Sequence, residues 1–341
     1  MIEINDLIFA DISGIISFNL FLFIILAFVL SLVIDIVFGE LPTQIHPVVI
    51  IGSLISRFKN IFIRFKNRLS GFMLALCVCM VSAIILFIIY LITSFNVLLF
   101  LCVFSVLLSS TFSLNMLLAT AVDVKDALDI SIDRARELVS YLVSRDTDEL
   151  TESFIVSAAI ESMSENITDS YVAPVFYYFI FALIILYYPI NNYLYYLLLI
   201  PMLYRISNTM DAMLGYKSDE LINIGFFPAK LDDILNFIPA RISGIFIVIS
   251  AYLLKFDGKN AYNIMMRDAR NCPSPNSGYS MASTAGALNI QLVKKDTYIL
   301  GDRDKVISKD DITKAVKLSK MSMMLFTITI ILLFILIYVI L

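Results

Sequence analysis

Long stretches without a charged residue alternate with polar segments along this chain, and the alternation predicts its elements. Ile12–Ile34 is one charge-free run. At 1.5 Å per residue it is long enough to cross a hydrocarbon layer about 30 Å thick. Leu69–Val122 carries no charge and has room for two passes, with a hairpin near Thr93-Ser94-Phe95-Asn96. Ser170–Tyr204 is also uncharged and reads as two shorter passes broken at Pro189-Ile190-Asn191-Asn192. Met321–Leu341 is a final span, while Ile242–Leu254 is too short to cross alone and reads as a half-buried or interfacial helix. The expected fold is all-α: a polytopic helical membrane protein of about six spans, one membrane-embedded domain over residues 1–341 with helices and loops on its cytoplasmic face.

Composition agrees. The chain is 60% hydrophobic with a mean hydropathy of +0.88, values of the membrane class. No Lys or Arg precedes the first run and no small-residue cleavage site follows it, so it reads as a span and not a signal peptide. Cys77, Cys79 and Cys102 fall inside predicted spans and Cys272 stands alone in a polar loop, so no disulfide framework is expected. The single histidine and the lack of a Cys-x-x-Cys pair outside the spans disfavour zinc. Nothing points to nucleic acid.

Lys and Arg placement orients the chain. Arg57, Lys59, Arg64, Lys66 and Arg68 follow the first span and should be cytoplasmic. Counting passes from there puts the polar segments 35–68, 123–169, 205–241 and 255–320 on one face, as suits a membrane-bound enzyme with a soluble substrate. The run Asp123, Asp126, Asp129, Asp133, Glu137 alternates with apolar positions as an amphipathic helix with a solvated acidic face.

Glu161, Glu165 and Asp169 lie at i, i+4, i+8 and share a helical face. Carboxylates so spaced repel each other, so the stripe should hold a cation, either Mg²⁺ or an arginine. Arg205, Asn208 and Asp211 share another face, suited to phosphate or to capping a span. Asp232-Asp233 forms a further acidic cluster. His46, before Pro47, is either a general base or a structural hydrogen-bonding group at a span terminus. Asn271-Cys272-Pro273-Ser274-Pro275-Asn276-Ser277-Gly278 is a rigid polar turn. Ser274 and Asn276 offer hydrogen bonds, Gly278 permits φ > 0, and a helix should open near Tyr279 facing any anion held by Arg267 and Arg270; the alternative is a plain surface loop. No Walker-type loop exists, since the sole Gly-Lys pair, Gly258-Lys259, is followed by Asn260, and no G-x-G-x-x-G occurs.

Taken in order, several short stretches resemble the adenosylcobinamide-phosphate synthase (CobD or CbiB) family of cobalamin biosynthesis. They are Asp35-x-x-Phe38-Gly39 with His46-Pro47-Val48 and Ile51-Gly52; Arg145-Asp146-Thr147; Glu161-Ser162-x-x-Glu165-Asn166-x-x-Asp169 with Val172-Ala173-Pro174; Asn208-Thr209-x-Asp211-Ala212-Met213-x-Gly215-Tyr216 with Ala229-x-Leu231-Asp232-Asp233 and Pro239-Ala240-Arg241; and Arg267-Asp268-Ala269-Arg270 with Pro273-Ser274-Pro275-Asn276-x-Gly278. The departures are Ser170 where Gly is common and Tyr279 where Trp is common. The resemblance implies an integral ligase of the cell membrane, joining aminopropanol or its O-phosphate to adenosylcobyric acid with ATP hydrolysis, with late-pathway corrinoid enzymes as neighbours. Under it Glu161, Glu165 and Asp169 bind Mg²⁺, with Asp232 and Asp233 as the rival set. Arg205, Asn208, Arg267, Arg270, Ser274, Asn276 and Gly278 would form the substrate and phosphate site, and His46, Glu165 and Asp211 the catalytic groups. The competing readings are a membrane transporter, a non-catalytic membrane sensor sharing the fold, and a lipid-type alcohol phosphotransferase, whose Asp-Gly-x-x-Ala-Arg arrangement is absent.

Overall fold

A computed structural model describes residues 3–188, 192–216 and 218–340, with side chains from Asn19 onward. The chain runs α1 (Glu3–Phe38), α2 (Pro47–Phe62), α3 (Arg68–Thr93), α4 (Val97–Ser109), α5 (Asn115–Ile130), α6 (Ile132–Ser140), α7 (Glu152–Ile167), α8 (Ala173–Tyr187), α9 (Tyr193–Leu214), α10 (Phe226–Leu235), α11 (Phe237–Leu253), α12 (Gly258–Asp268), α13 (Gly278–Leu288), β1 (Leu292–Lys294), β2 (Tyr298–Leu300) and α14 (Lys309–Ile340). The fold is all-α apart from the small antiparallel hairpin of β1 and β2.

Among the described residues, α1 from Asn19, α3, the continuous α7–α8 rod and α14 are long and apolar enough to cross a membrane. The α10–α11 pair, bent by 48°, makes a fifth if it counts as one broken span. The expectation of about six is therefore reduced to four or five. Two physical reasons account for the difference. Helix α4 has only 13 residues, about 20 Å of rise, short of the bilayer core; it ends in Ser109-Ser110-Thr111, whose hydroxyls turn back onto carbonyls three residues earlier. The second pass expected within Ser170–Tyr204 is the other: α9 carries Pro201 inside and Arg205 and Asp211 in its second half, and it is not among the helices apolar enough to cross, while α8 continues α7 through a π-helical turn at Thr168–Val172. Of the expected break near Pro189-Ile190-Asn191-Asn192, residues 189–191 lie outside the described residues.

Other expectations shift in detail. The Thr93–Asn96 hairpin is present, with Asn96 capping α4 through the Leu99 amide. The acidic run Asp123–Glu137 is two helices, because Ser131 takes an extended conformation and caps α6 through the Arg134 amide. Ile242–Leu254 is the second limb of the α10–α11 pair, starting at Phe237. Gly39 (φ +69°) ends α1 in the left-handed region that glycine tolerates.

Packing gathers the polar chemistry inside the bundle. In the α7–α8 rod 56% of the apolar window is buried within the protein, against 17% for α14. Ionisable groups on a span are tolerable only on such inward faces. Asp35 follows that rule: its Oδ2 accepts from the Leu114 and Asn115 amides at 3.2 Å, closing the start of α5.

Candidate functional site

The polar ends of α7, α9 and α10 meet the 271–277 loop around a cavity of about 420 Å³. Carboxylates dominate its wall: Glu165 at the end of α7, Asp169 in the π-turn, Asp211 near the end of α9, Asp232 and Asp233 in α10. Glu165 and Asp169 reach it together because they sit one helical turn apart. The buried Asp232 carboxylate is held by Asn236 Nδ2 at 3.0 Å and Asn208 Nδ2 at 3.4 Å. Asp233 takes the Lys230 ammonium at 2.7 Å. Tyr204 Oη donates to Asn236 Oδ1 at 2.8 Å and so fixes the amide that holds Asp232.

Glu165, Asp169 and Asp211 face this space with no side-chain hydrogen bond among the described residues. Burial, then the nearby Asp233 charge, pushes the Asp211 carboxyl up to about 6. Ionised groups so placed attract a cation. A hard ion such as Mg²⁺ needs only one or two carboxylates if phosphate oxygens and water complete its shell. Among the described residues no three His, Cys, Asp or Glu close on a single point, so any ion would rest on a pair of them and on its ligand.

The loop is pinned to the same wall. Asn276 Nδ2 donates to the Asp233 carbonyl at 2.8 Å, Arg241 Nη1 donates to Asn276 Oδ1 at 3.1 Å, and the Asn276 amide donates to Ser274 Oγ at 3.2 Å. Arg241 is itself sandwiched against the Phe237 and Tyr279 rings. Helix α13 starts at Gly278, which is not at positive φ. The glycine is required there by close approach, since a Cβ would lie 2.1 Å from the Ala269 carbonyl oxygen.

Every residue of this cavity lies inside one continuous match. The family model described as CobD/Cbib protein matches residues 28–319. The chain belongs to the CobD/Cbib family. A protein of Methanothermobacter thermautotrophicus named "Probable cobalamin biosynthesis protein CobD" is 41% identical over 302 residues, covering 88% of this chain and 94% of that one. Proteins of the same name from Methanocaldococcus jannaschii and Thermoplasma volcanium are each 36% identical; the alignments cover 80% and 84% of this chain and 86% and 90% of theirs. No solved structure matches the chain.

In this CobD/Cbib chain the residues singled out from sequence separate by place. Glu165, Asp169, Asp211, Asp232, Asp233, Ser274 and Asn276 share the cavity wall. Arg205 and Asn208 stand behind it: Arg205 Nη1 reaches Ser170 Oγ at 3.4 Å and Asn208 Oδ1 at 3.3 Å, and its buried Nε has no partner among the described residues. Glu161 is placed elsewhere. Its Oε1 accepts from Ser157 Oγ at 2.5 Å and Arg145 Nη2 at 3.3 Å, and its Oε2 from Tyr298 Oη at 2.8 Å. A carboxylate with three donors, one of them a guanidinium, is already engaged.

His46 is buried and has both ring nitrogens engaged. Nδ1 accepts from the Val48 amide at 3.1 Å, capping α2, and Nε2 lies 2.6 Å from Glu40 Oε2. That hydrogen bond holds the Glu40 carboxyl below its ordinary range. The geometry is the structural alternative read from the sequence. Arg267 forks onto Asp268 and Asp302, at 2.7–3.0 Å; Arg270 is exposed and is not on the cavity wall. The loop thiol, Cys272, is pushed up to about 12 by burial. Lys230 was missed in the sequence, although its i−3 spacing from Asp233 was the available signal.

Proposed function

We propose that this chain acts in cobalamin biosynthesis as a membrane-embedded, ATP-dependent ligase that joins aminopropanol or its O-phosphate to a propionate of adenosylcobyric acid. The observation that carries the reading is the single cavity in which Glu165, Asp169, Asp211, Asp232 and Asp233 meet the Ser274–Asn276 loop. Family membership and the names of the relatives support the pathway; the cavity supports the chemistry.

A carboxylate forms an amide only after activation. Transfer of a phosphoryl group from ATP to the propionate gives an acyl phosphate and ADP. Attack by the amine on the acyl carbon then forms the C–N bond and expels phosphate. Glu165 and Asp169 would hold Mg²⁺, whose bound charge stabilises phosphoryl oxygens. Asp211, titrating near 6, is largely ionised at neutral pH and is suited to take the proton the attacking nitrogen loses. Asp232, fixed by Asn208 and Asn236, keeps the opposite wall in place. Ser274 Oγ, on the wall, is available to orient a polar substrate group.

The test is incubation of the purified protein with adenosylcobyric acid, Mg·ATP and either aminopropanol or its phosphate, with corrinoid products followed by mass. The expected result is the amide product formed only with ATP present. Absence of product with both amines, under conditions where the protein is folded, removes the ligase reading; flux of a solute into sealed vesicles would put a transporter in its place.

A further inference from the structure

With Arg267 and Arg270 directed elsewhere, the cavity is rich in carboxylates and short of the cations an incoming phosphate needs. The β1–β2 hairpin supplies a candidate. Lys294 is paired across the ladder with Tyr298, and residues directly opposite each other project on the same face. That face points inward: Leu292 and Leu300 share it and are fully buried, and Tyr298 Oη reaches Glu161. Val293 and Ile299, on the other face, look away into a separate cavity of about 380 Å³.

Three contacts fix the hairpin against α7. The Val293 amide donates to Ser157 Oγ at 2.9 Å, Tyr298 donates to Glu161, and Arg145 Nη1 approaches the Val293 carbonyl at 3.4 Å. Because Arg145, Ser157 and Tyr298 already satisfy Glu161, Lys294 is not consumed there. It is half-buried and forms no ion pair among the described residues. Its cross-strand partner Tyr298 reaches Glu161, one turn before the wall residue Glu165 on α7, so Lys294, which does not itself line the wall, approaches the cavity from the Glu165 side. An inward-facing, unpaired lysine on a rigid hairpin is costly to desolvate unless an anion arrives to meet it.

We propose that Lys294 is the cation that holds the phosphoryl oxygens of the phosphate-bearing substrate at the Glu165 side of the cavity. The proposal rests on the ligase reading above and adds to it the residue that receives phosphate. The phosphate belongs either to ATP or to the amino alcohol.

Equilibrium titrations of the purified full-length protein with Mg·ATP, aminopropanol O-phosphate and free aminopropanol test it, using wild type, Lys294→Met, Lys294→Arg and, as a control on the exposed neighbour, Lys295→Met. Lys294→Met should weaken a phosphate-bearing ligand by roughly ten- to a hundredfold, the size of one hydrogen bond to a charged group. Lys294→Arg should recover part of the loss, and free aminopropanol binding and the Lys295→Met protein should be unchanged. The ligand that weakens identifies the source of the phosphate. If neither phosphate-bearing ligand weakens, or if all three ligands weaken together with a drop in melting temperature, Lys294 has no such role. Should wild type ligate normally while Lys294→Met binds as wild type, only this inference falls. A wild-type protein that binds none of the three and makes no product overturns both readings.

Discussion

Asp211 folds over Gly215: its Oδ1 lies 2.2 Å from where a Cβ at position 215 would be built. Gly215 has φ −70° and ψ 0°, a backbone that alanine adopts without strain, so the glycine is there for its missing side chain. Gly215→Ala should therefore move the Asp211 carboxylate and, because the added Cβ would also lie 2.8 Å from the Asp211 carbonyl oxygen, shift the last turn of α9. Ligation is expected to fall by on the order of a hundredfold, the cost of misplacing a reacting group by about 1 Å, together with a lower melting temperature from the strained helix end. Normal turnover by Gly215→Ala would separate Asp211 from the chemistry.

The raised Asp211 carboxyl gives a pH signature with two opposite parts. Between the unperturbed value of 3.8 and about 6, the folded chain binds more protons at this site than the unfolded chain. Its contribution to stability therefore decreases as pH rises through that window. Cation binding at Glu165 and Asp169, favoured by the added charge of ionised Asp211 in the same cavity, should strengthen through pH 6 and level off above it. Mg²⁺ titrations and thermal melts from pH 5 to about 8 read both trends, and Asp211→Asn should flatten both.

Glu165 lines the cavity one turn beyond Glu161, the residue that anchors the hairpin. Glu165→Gln keeps the volume and removes the charge, so the protein should insert and purify normally while ligation is lost. Product analysis by mass beside size-exclusion chromatography checks this; full activity in that variant would remove Glu165 from the cation site.

Tyr298→Phe tests the strap that holds the hairpin. It deletes one donor to the buried Glu161 carboxylate, and such a loss costs about 1–3 kcal/mol. A lowered melting temperature is expected, together with weaker Lys294-dependent binding, because the same bond positions both strands.

Much of the site was readable because its spacing is helical. Glu165 and Asp169 fall one turn apart, Asp232 and Asp233 are neighbours, and Ser274 and Asn276 sit in a loop too polar for so apolar a chain. What spacing cannot show is which partner a side chain meets across the fold. Glu161 shares the face of Glu165 by count, yet its donors come from Arg145 and from Tyr298, which lies 137 residues away. Arg267 is claimed by Asp302, 35 residues on. Neither pairing leaves a periodic trace.

Span counting failed for a different reason. Hydropathy adds smoothly across Leu69–Val122, but the serines and threonine that end α4 are uncharged and do not interrupt the sum. The π-turn at Thr168–Val172 likewise has no composition signal, and it alone joins α7 to α8 into one rod. The hairpin was hidden because its strands are three residues each, too short for a period of two to register.

The deep burial of the Cys272 sulfur has a practical outcome for mapping sidedness. A thiol held so far from ionisation is a poor nucleophile toward maleimides, and the exposed Cys102 on α4 would first be replaced by serine. Introduced cysteines, such as Arg270→Cys, could then be probed in sealed vesicles against a quiet native background, and the side on which the 271–277 loop emerges read directly.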